Sequence, residues 1–218
     1  MEVAVCYVAI MRRALSLCGV ILAAGESSRM GRDKALLPWP PQSDGSRDTF
    51  LSAAIRMLAP RVDVVLVVAG KNADALAPIV YAQGGSLVVN PDPARGQFSS
   101  LQTGLRQVLG WGRDAAMITL VDRPPVRPET ISTLETAFER VIEQWKWAAV
   151  PEFQGKHGHP IVAAREMIEA FLTAPVSSNA QEIEHTHQAK IEYVPVDDPF
   201  VAMNVDTPEQ YAALLSTT

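Results

Sequence analysis

Apolar positions along the chain follow two alternating patterns. Short runs rich in β-branched residues recur at Leu17 to Ala23, Val64 to Ala69, Leu87 to Val89, Ala115 to Val121 and Ala148 to Val150. Between them lie stretches with apolar residues every three or four positions: Phe50 to Leu58, Asp74 to Tyr81, Ser100 to Leu109 and Glu129 to Trp145. The first pattern predicts buried strands and the second amphipathic helices. Continuous apolar strands alternating with helices predict an α/β fold, a three-layer, mostly parallel twisted sheet with helices on both faces. Such sheets bind ligands at the carboxyl ends of their strands. After Val150 the pattern loosens, with short strands expected near Ile161 to Ala163 and Ile191 to Val194. Residues 151–203 are therefore read as an acceptor-side part of a single domain spanning 17–218.

Two segments stand apart. PWPPQSDGSRD, from Pro38 to Asp48, is dense in proline and polar turn residues and predicts a surface loop. Residues 1–16 read as an N-terminal extension. Within it Met11-Arg12-Arg13, followed by ALSLCGVILAAG, imitates a signal peptide. An apolar stretch precedes the arginines, which is the wrong order, and cleavage near Ala24 would remove the first strand. The expectation is a cytoplasmic chain, with Met11 as a candidate start in place of Met1.

Composition narrows the partners. The chain has 218 residues, enough for one well-packed domain, and a formal net charge of −5. It has no basic stretch, which argues against nucleic acid, and no apolar run long enough to span a membrane. Cys6 and Cys18 form no CxxC pair and both sit in apolar runs, so they read as small core hydrophobes.

The chemistry concentrates in LAAGESSRMGRDKALLP, Leu22 to Pro38. A strand ends at Ala24-Gly25, and a polar loop carrying Ser27, Ser28, Arg29 and Lys34 follows. A glycine adopts backbone angles that other residues avoid, and its bare Cα lets a ligand come close. Loop amides with two cations make a socket for a polyanion. No GK[ST] or GxGxxG follows, so it is neither a Walker loop nor a dinucleotide fingerprint. Lys34, in a polar loop, is expected to have little packing role. Asp122 closes the run Ala115 to Val121 and falls at a carboxyl edge, where it could hold Mg²⁺ or cap the following turn. Asp206 stands before Thr207-Pro208-Glu209, where it could equally cap a helix from Pro208 to Leu215. Ser99 and Ser100 open the predicted helix ending at Leu109, whose free amides could hold a phosphate or a base edge. His157 and His159 lack carboxylate or thiolate company and do not read as a metal pair. His185 and His187 read as a solvated helix face, and Trp145 and Trp147 as core or interface residues.

LAAGxSSRMGxxKxLLP resembles the signature of nucleotidyltransferases of the molybdenum cofactor type, which have a GT-A-like, Rossmann-like α/β fold. The likeness is greatest to the molybdenum cofactor cytidylyltransferases and their guanylyltransferase relatives. It continues through Asn90-Pro91-Asp92 and Gly96-Gln97-Phe98-Ser99-Ser100-Leu101, through Asp122-Arg123-Pro124, Gly158-His159-Pro160 and Asn204-Val205-Asp206-Thr207-Pro208-Glu209. The resemblance implies transfer of a nucleoside monophosphate from an NTP to a molybdopterin-type phosphate, with release of pyrophosphate. It implies nucleotide binding by Leu22, Ala23, Ala24, Gly25, Ser28, Arg29, Lys34, Asp92, Gly96, Ser99 and Ser100. It makes Asp122 and Asp206 the Mg²⁺ ligands, with Asn204 a weaker candidate, and Lys34, Arg29 and Asp122 the catalytic set. His159 and Arg123 are expected to line the acceptor pocket, and a molybdenum enzyme is a possible partner. Relatives that use GTP typically read LAGG where this chain has Leu22-Ala23-Ala24-Gly25, which favours CTP. Two departures concern the acceptor: Arg123 stands where the family commonly has an uncharged residue, and the loop from Pro38 to Asp48 is unusually long. The rival readings are a nucleotidyltransferase for a sugar phosphate or other small metabolite, a non-catalytic nucleotide-binding relative, and a secreted binding protein.

Overall fold

A computed structural model describes residues 16–40, 48–175 and 177–214. The expectations for Cys6, for residues 1–15 and for most of the proline-rich loop lie outside the described residues. Four strands, β1 (Leu17–Leu22), β2 (Val64–Ala69), β3 (Ser86–Val89) and β4 (Ala115–Leu120), lie parallel in the order β3-β2-β1-β4. Next to β4, and antiparallel to it, runs β7 (Ile161–Ala164). Then comes β5 (Ala148–Phe153), flanked by the two-residue β6 (Lys156–His157) and by β8 (Ile191–Pro195), which is parallel to β5. The expected mostly parallel sheet is thus present, with an antiparallel insertion where the sequence pattern loosens.

The strands read as continuous apolar runs because both faces are covered. Successive side chains alternate between the faces. Ile21, Val65, Val67 and Met117 pack against α1 (Phe50–Leu58), α2 (Ala73–Ala82) and α4 (Pro128–Glu143). Val20, Leu66, Val68 and Ile118 pack against α3 (Gln97–Gly110) and α5 (Arg165–Thr173). Cys18 belongs to this second layer, fully buried, its thiol pushed up to about 12 by burial. It is a core hydrophobe as expected. Of the two places read for Trp145, core or interface, the core is ruled out: it is 83% exposed, in a left-handed turn after α4.

Two short helices complete the α-helices of the described residues, α6 (Ala180–Thr186) and α7 (Pro208–Ala213). Among the described residues no helix is long and apolar enough to cross a membrane. The strand order reverses between β1 and β4, because β2 and β3 extend to one side of β1 and β4 lies on the other. Loops leaving such a switch point diverge and open a crevice at the carboxyl edge.

Candidate active site

The loop after β1 is held from below by Asn72. Its side-chain amide donates to the Ala23 carbonyl at 2.9 Å and to Asp33 Oδ2 at 2.7 Å. Asp33 caps the single 3₁₀ turn Lys34–Leu36 through the Ala35 amide. The Lys34 amide donates to Ser27 Oγ at 3.1 Å. This fixed turn aims the Lys34 ammonium at two carboxylates, 2.6 Å from Asp206 Oδ1 and 3.2 Å from Asp122 Oδ2. Lys34 is 8% exposed, so the expectation that it has little packing role is corrected: it is a buried tie between three loops. Arg29 pairs with the same Asp206 oxygen at 3.1 Å, but its side chain is 69% exposed.

Asp206 reaches Asp122 from 84 residues further along the chain because the Val205 amide donates to the Asp122 carbonyl at 2.9 Å. The alternative role weighed for Asp206, a helix cap, falls to its neighbour. Thr207 Oγ1 accepts from the Gln210 amide, and the Gln210 side chain returns to the Thr207 and Asp206 amides. The hydrogen bond from Lys34, with help from Arg29, holds the Asp206 carboxyl below the usual carboxylate range. Asp122 Oδ1 is buried and has no hydrogen-bond partner among the described residues.

Two cavities flank this cluster. The smaller, of about 250 Å³, is lined by Leu22, Ala24, Gly25, Ser27, Lys34, Gly96, Ser100 and Asp122, among others. It gathers much of the expected nucleotide set and leaves some of it out. Ala23 is core, and Ser28 and Asp92 are exposed and off the wall. Ser27, with a left-handed φ of 51°, takes the place expected of Ser28. Gly25 has no positive φ and open space where a Cβ would stand, so only its close-approach role finds support. Helix α3 begins at Gln97, three residues before the expected start, after Gly96 at φ 92°. Ser99 and Ser100 are thus inside its first turn, both hydroxyls accepting from the buried Asn90 amide. Ser100 lines the cavity; Ser99 does not.

The larger cavity, of about 860 Å³, is bordered by Arg123, His159 and Asn204 at the end beside Asp122. His159 sits with Nδ1 3.2 Å from the Ile118 carbonyl. Burial, reinforced by the Arg123 charge, pushes its pKa down to about 3, so it is a neutral imidazole. Arg123 Nη1 donates to the Val201 carbonyl at 2.6 Å, while its buried Nε has no partner among the described residues. Both residues expected at the acceptor pocket therefore stand on one wall. Of the histidines expected on a solvated face, His185 is exposed yet borders this cavity, and His187 packs its ring on Trp147. Sequence reasoning missed Asn72, which holds the loop, and Glu184 and Tyr193, which border the larger cavity. A signal existed for Asn72, which lies in the loop after a parallel strand, at the edge where ligands bind.

A family model described as MobA-like NTP transferase domain matches residues 19–191. The probable molybdenum cofactor guanylyltransferase of Mycobacterium avium (strain 104) is 35% identical over 126 residues, 57% of this chain and 58% of that protein. The purine catabolism protein PucB of Bacillus subtilis (strain 168) is also 35% identical, over 125 residues, 54% of this chain and 58% of its own. The chain thus spans under two thirds of the curated relatives it matches. The crystal structure of Rv0371c from Mycobacterium tuberculosis H37Rv superposes with a TM-score of 0.73 at 26% identity, covering 93% of this chain and 98% of that one.

Proposed function

Because this chain belongs to the MobA-like NTP transferase domain family, we propose that it moves a nucleoside monophosphate from an NTP onto the terminal phosphate of a molybdopterin-type cofactor. An acceptor phosphate oxygen attacks the α-phosphorus, the bond from that phosphorus to the bridging oxygen breaks, and pyrophosphate leaves. The observation that carries this reading is the Lys34–Asp122–Asp206 cluster between two cavities, one beside the glycine loop and one beside Arg123 and His159.

Phosphoryl chemistry of this kind asks for positioning and charge more than for covalent catalysis. The small cavity receives the NTP with its phosphates toward Lys34 and the loop amides. Lys34 and Arg29 offset charge as pyrophosphate departs. No general base is required, since the attacking phosphate is already ionised. The residues also fit Mg²⁺: a cationic ammonium rests between the two carboxylates, and Asp122 keeps a buried oxygen unpartnered. Two carboxylates plus phosphate oxygens are a normal ligand set for that ion. When bound, the ion would neutralise phosphate charge there, and Lys34 would be freed from the carboxylates toward the phosphates.

In this proposal the nucleotide is GTP. Relatives at 35% identity named guanylyltransferase support it over the CTP expected from Leu22-Ala23-Ala24-Gly25. The CTP reading keeps one observation: Ala24 is in the wall of a cavity of only about 250 Å³, which suits the smaller base. One methyl is worth about 1–3 kcal/mol of discrimination, too little to decide alone.

The test is pyrophosphate release with and without magnesium, from GTP and CTP, with molybdopterin or a panel of sugar phosphates. Release that needs molybdopterin and magnesium and prefers GTP is the expected result. A CTP preference overturns the base but not the transfer. Turnover on a sugar phosphate alone overturns the acceptor, and tight NTP binding with no release under any condition overturns catalysis.

A further inference from the structure

The larger cavity carries, on the wall formed by α6, a carboxylate that the transfer chemistry does not use. Glu184 is half-buried, lines the cavity, and makes no hydrogen bond or ion pair among the described residues. Desolvation pushes its pKa up to about 7. Its charge bears on Tyr193 of β8, on which Glu152 of β5 also acts. Burying a carboxylate without a partner is costly, so the pocket is built for something that donates to it.

The neighbouring wall says what shape that donor has. His157 stacks on Tyr193 with ring centroids 3.9 Å apart and planes within 11°, and both side chains border the cavity. Phe98 and Phe171 line it as well, edge to face at 6.3 Å. Aromatic walls favour a flat ring. A carboxylate has two coplanar acceptors, and it pairs best with two N–H groups side by side. A flat heterocycle with two adjacent donors is a 2-amino-4-oxopyrimidine, whose ring N–H and exocyclic amine lie on one edge. A pterin and a guanine both present that edge.

Position separates the two sources. Glu184 belongs to the larger cavity and not to the one beside the glycine loop. Its neighbour Tyr193 is on β8, three strands from β4 through β7 and β5. At strand spacing that is about 14 Å from the strand leading to Asp122. An acceptor with its phosphate at Asp122 and Arg123 therefore has its ring end near Glu184. We propose that Glu184 is a specificity-determining residue that reads the 2-amino-4-oxopyrimidine edge of the acceptor's pterin, with the ring against His157 and Tyr193. The assignment rests on the transfer reading for its choice of acceptor.

The test needs no turnover, which keeps the two readings separable. Pterin and lumazine, the latter with oxygen in place of the 2-amino group, are titrated by their own fluorescence into the full chain. GTP is titrated in parallel, with melting temperature as the folding control. Wild type is expected to prefer pterin over lumazine about tenfold or more. Glu184→Gln offers one acceptor and one donor, which match lumazine, so the preference should shrink at least tenfold or invert while GTP binding is unchanged. An unchanged preference in a folded variant overturns the assignment. So does a variant that loses GTP and keeps pterin, since the edge read is then the nucleotide's. Should the variant fail to fold, the absence of a pterin preference in wild type overturns it and its presence supports it. If molybdopterin supports no pyrophosphate release while pterin discrimination through Glu184 persists, the transfer reading fails and the ring site stands.

Discussion

Lys34 does two jobs with one ammonium. It cancels the repulsion between Asp122 and Asp206, and in the proposed reaction it is the cation that meets the triphosphate. Lys34→Met keeps the stem and removes the charge. Two part-buried carboxylates then face each other with exposed Arg29 and the more distant charge of Arg123 as their compensation, a loss of about 1–3 kcal/mol. Turnover should fall by about a hundredfold or more. Melting temperature and kcat on the same preparation check both, and a variant as stable as wild type would show that the ammonium does not tie the loops. His159 makes a pH prediction. Its folded-state pKa of about 3 is below the ordinary histidine value of about 6.5, so the unfolded chain binds the proton more readily. Its stabilising effect is complete above pH 6.5 and is lost as pH falls toward 3. From pH 7.5 to 5 this costs up to about 2 kcal/mol. His159→Gln should flatten that slope in denaturant titrations at the two pH values; equal slopes would mean that His159 protonates freely in the native state.

At the scale of elements, the larger cavity, the acceptor's in the proposed function, is fastened by the segment following β8. Val201 accepts from the His159 amide at 2.9 Å and from Arg123, so one carbonyl sets both wall residues. That contact needs Gly158. A Cβ there would stand 1.9 Å from the Val201 oxygen, well inside any allowed approach. Gly158→Ala must push the two loops apart. We expect KM for the acceptor to rise tenfold or more, KM for the nucleotide to change less than twofold, and stability to drop. Nucleotide and acceptor constants that worsen together would place Gly158 in a general scaffold and not in the acceptor wall.

Across the whole molecule, the smaller cavity lies on the parallel half of the sheet and the larger one extends from there over the mixed half. The two cavities share Leu22, Gly96, Gln97 and Leu120, so a nucleotide and an acceptor would meet over the ends of β1 and β4. Among the described residues no group of three or more histidine, cysteine, aspartate or glutamate side chains could hold a metal alone. Magnesium by itself should therefore leave the melting temperature unchanged. Magnesium with NTP at a hundredfold excess over Kd should raise it by about 5–10 °C, since both contribute ligands to one site. A full shift with magnesium alone would point to a protein-only metal site.

The chain's pattern alone determined the alternation of strands and helices and put the loop after Leu22 and the carboxylate of Asp122 at one edge. Both follow from local physics: apolar runs of strand length need two covered faces, and parallel strands end together. Asp206, Arg123 and His159 were marked by the family resemblance and not by the pattern, which left Asp206 a helix cap. Only the tertiary structure decided that Lys34 bridges carboxylates 88 and 172 residues away. The same holds for Thr207 capping α7 in place of Asp206, and for Ser27 facing the cavity where Ser28 was expected. At the last of these the backbone is left-handed, φ 51° at Ser27, and the Ser28 that follows is exposed. Glu184 was illegible for a related reason. On a seven-residue helix with no periodic signal, a glutamate reads as solvated, and only the packing of α6 against α5 and the second core layer takes it out of water.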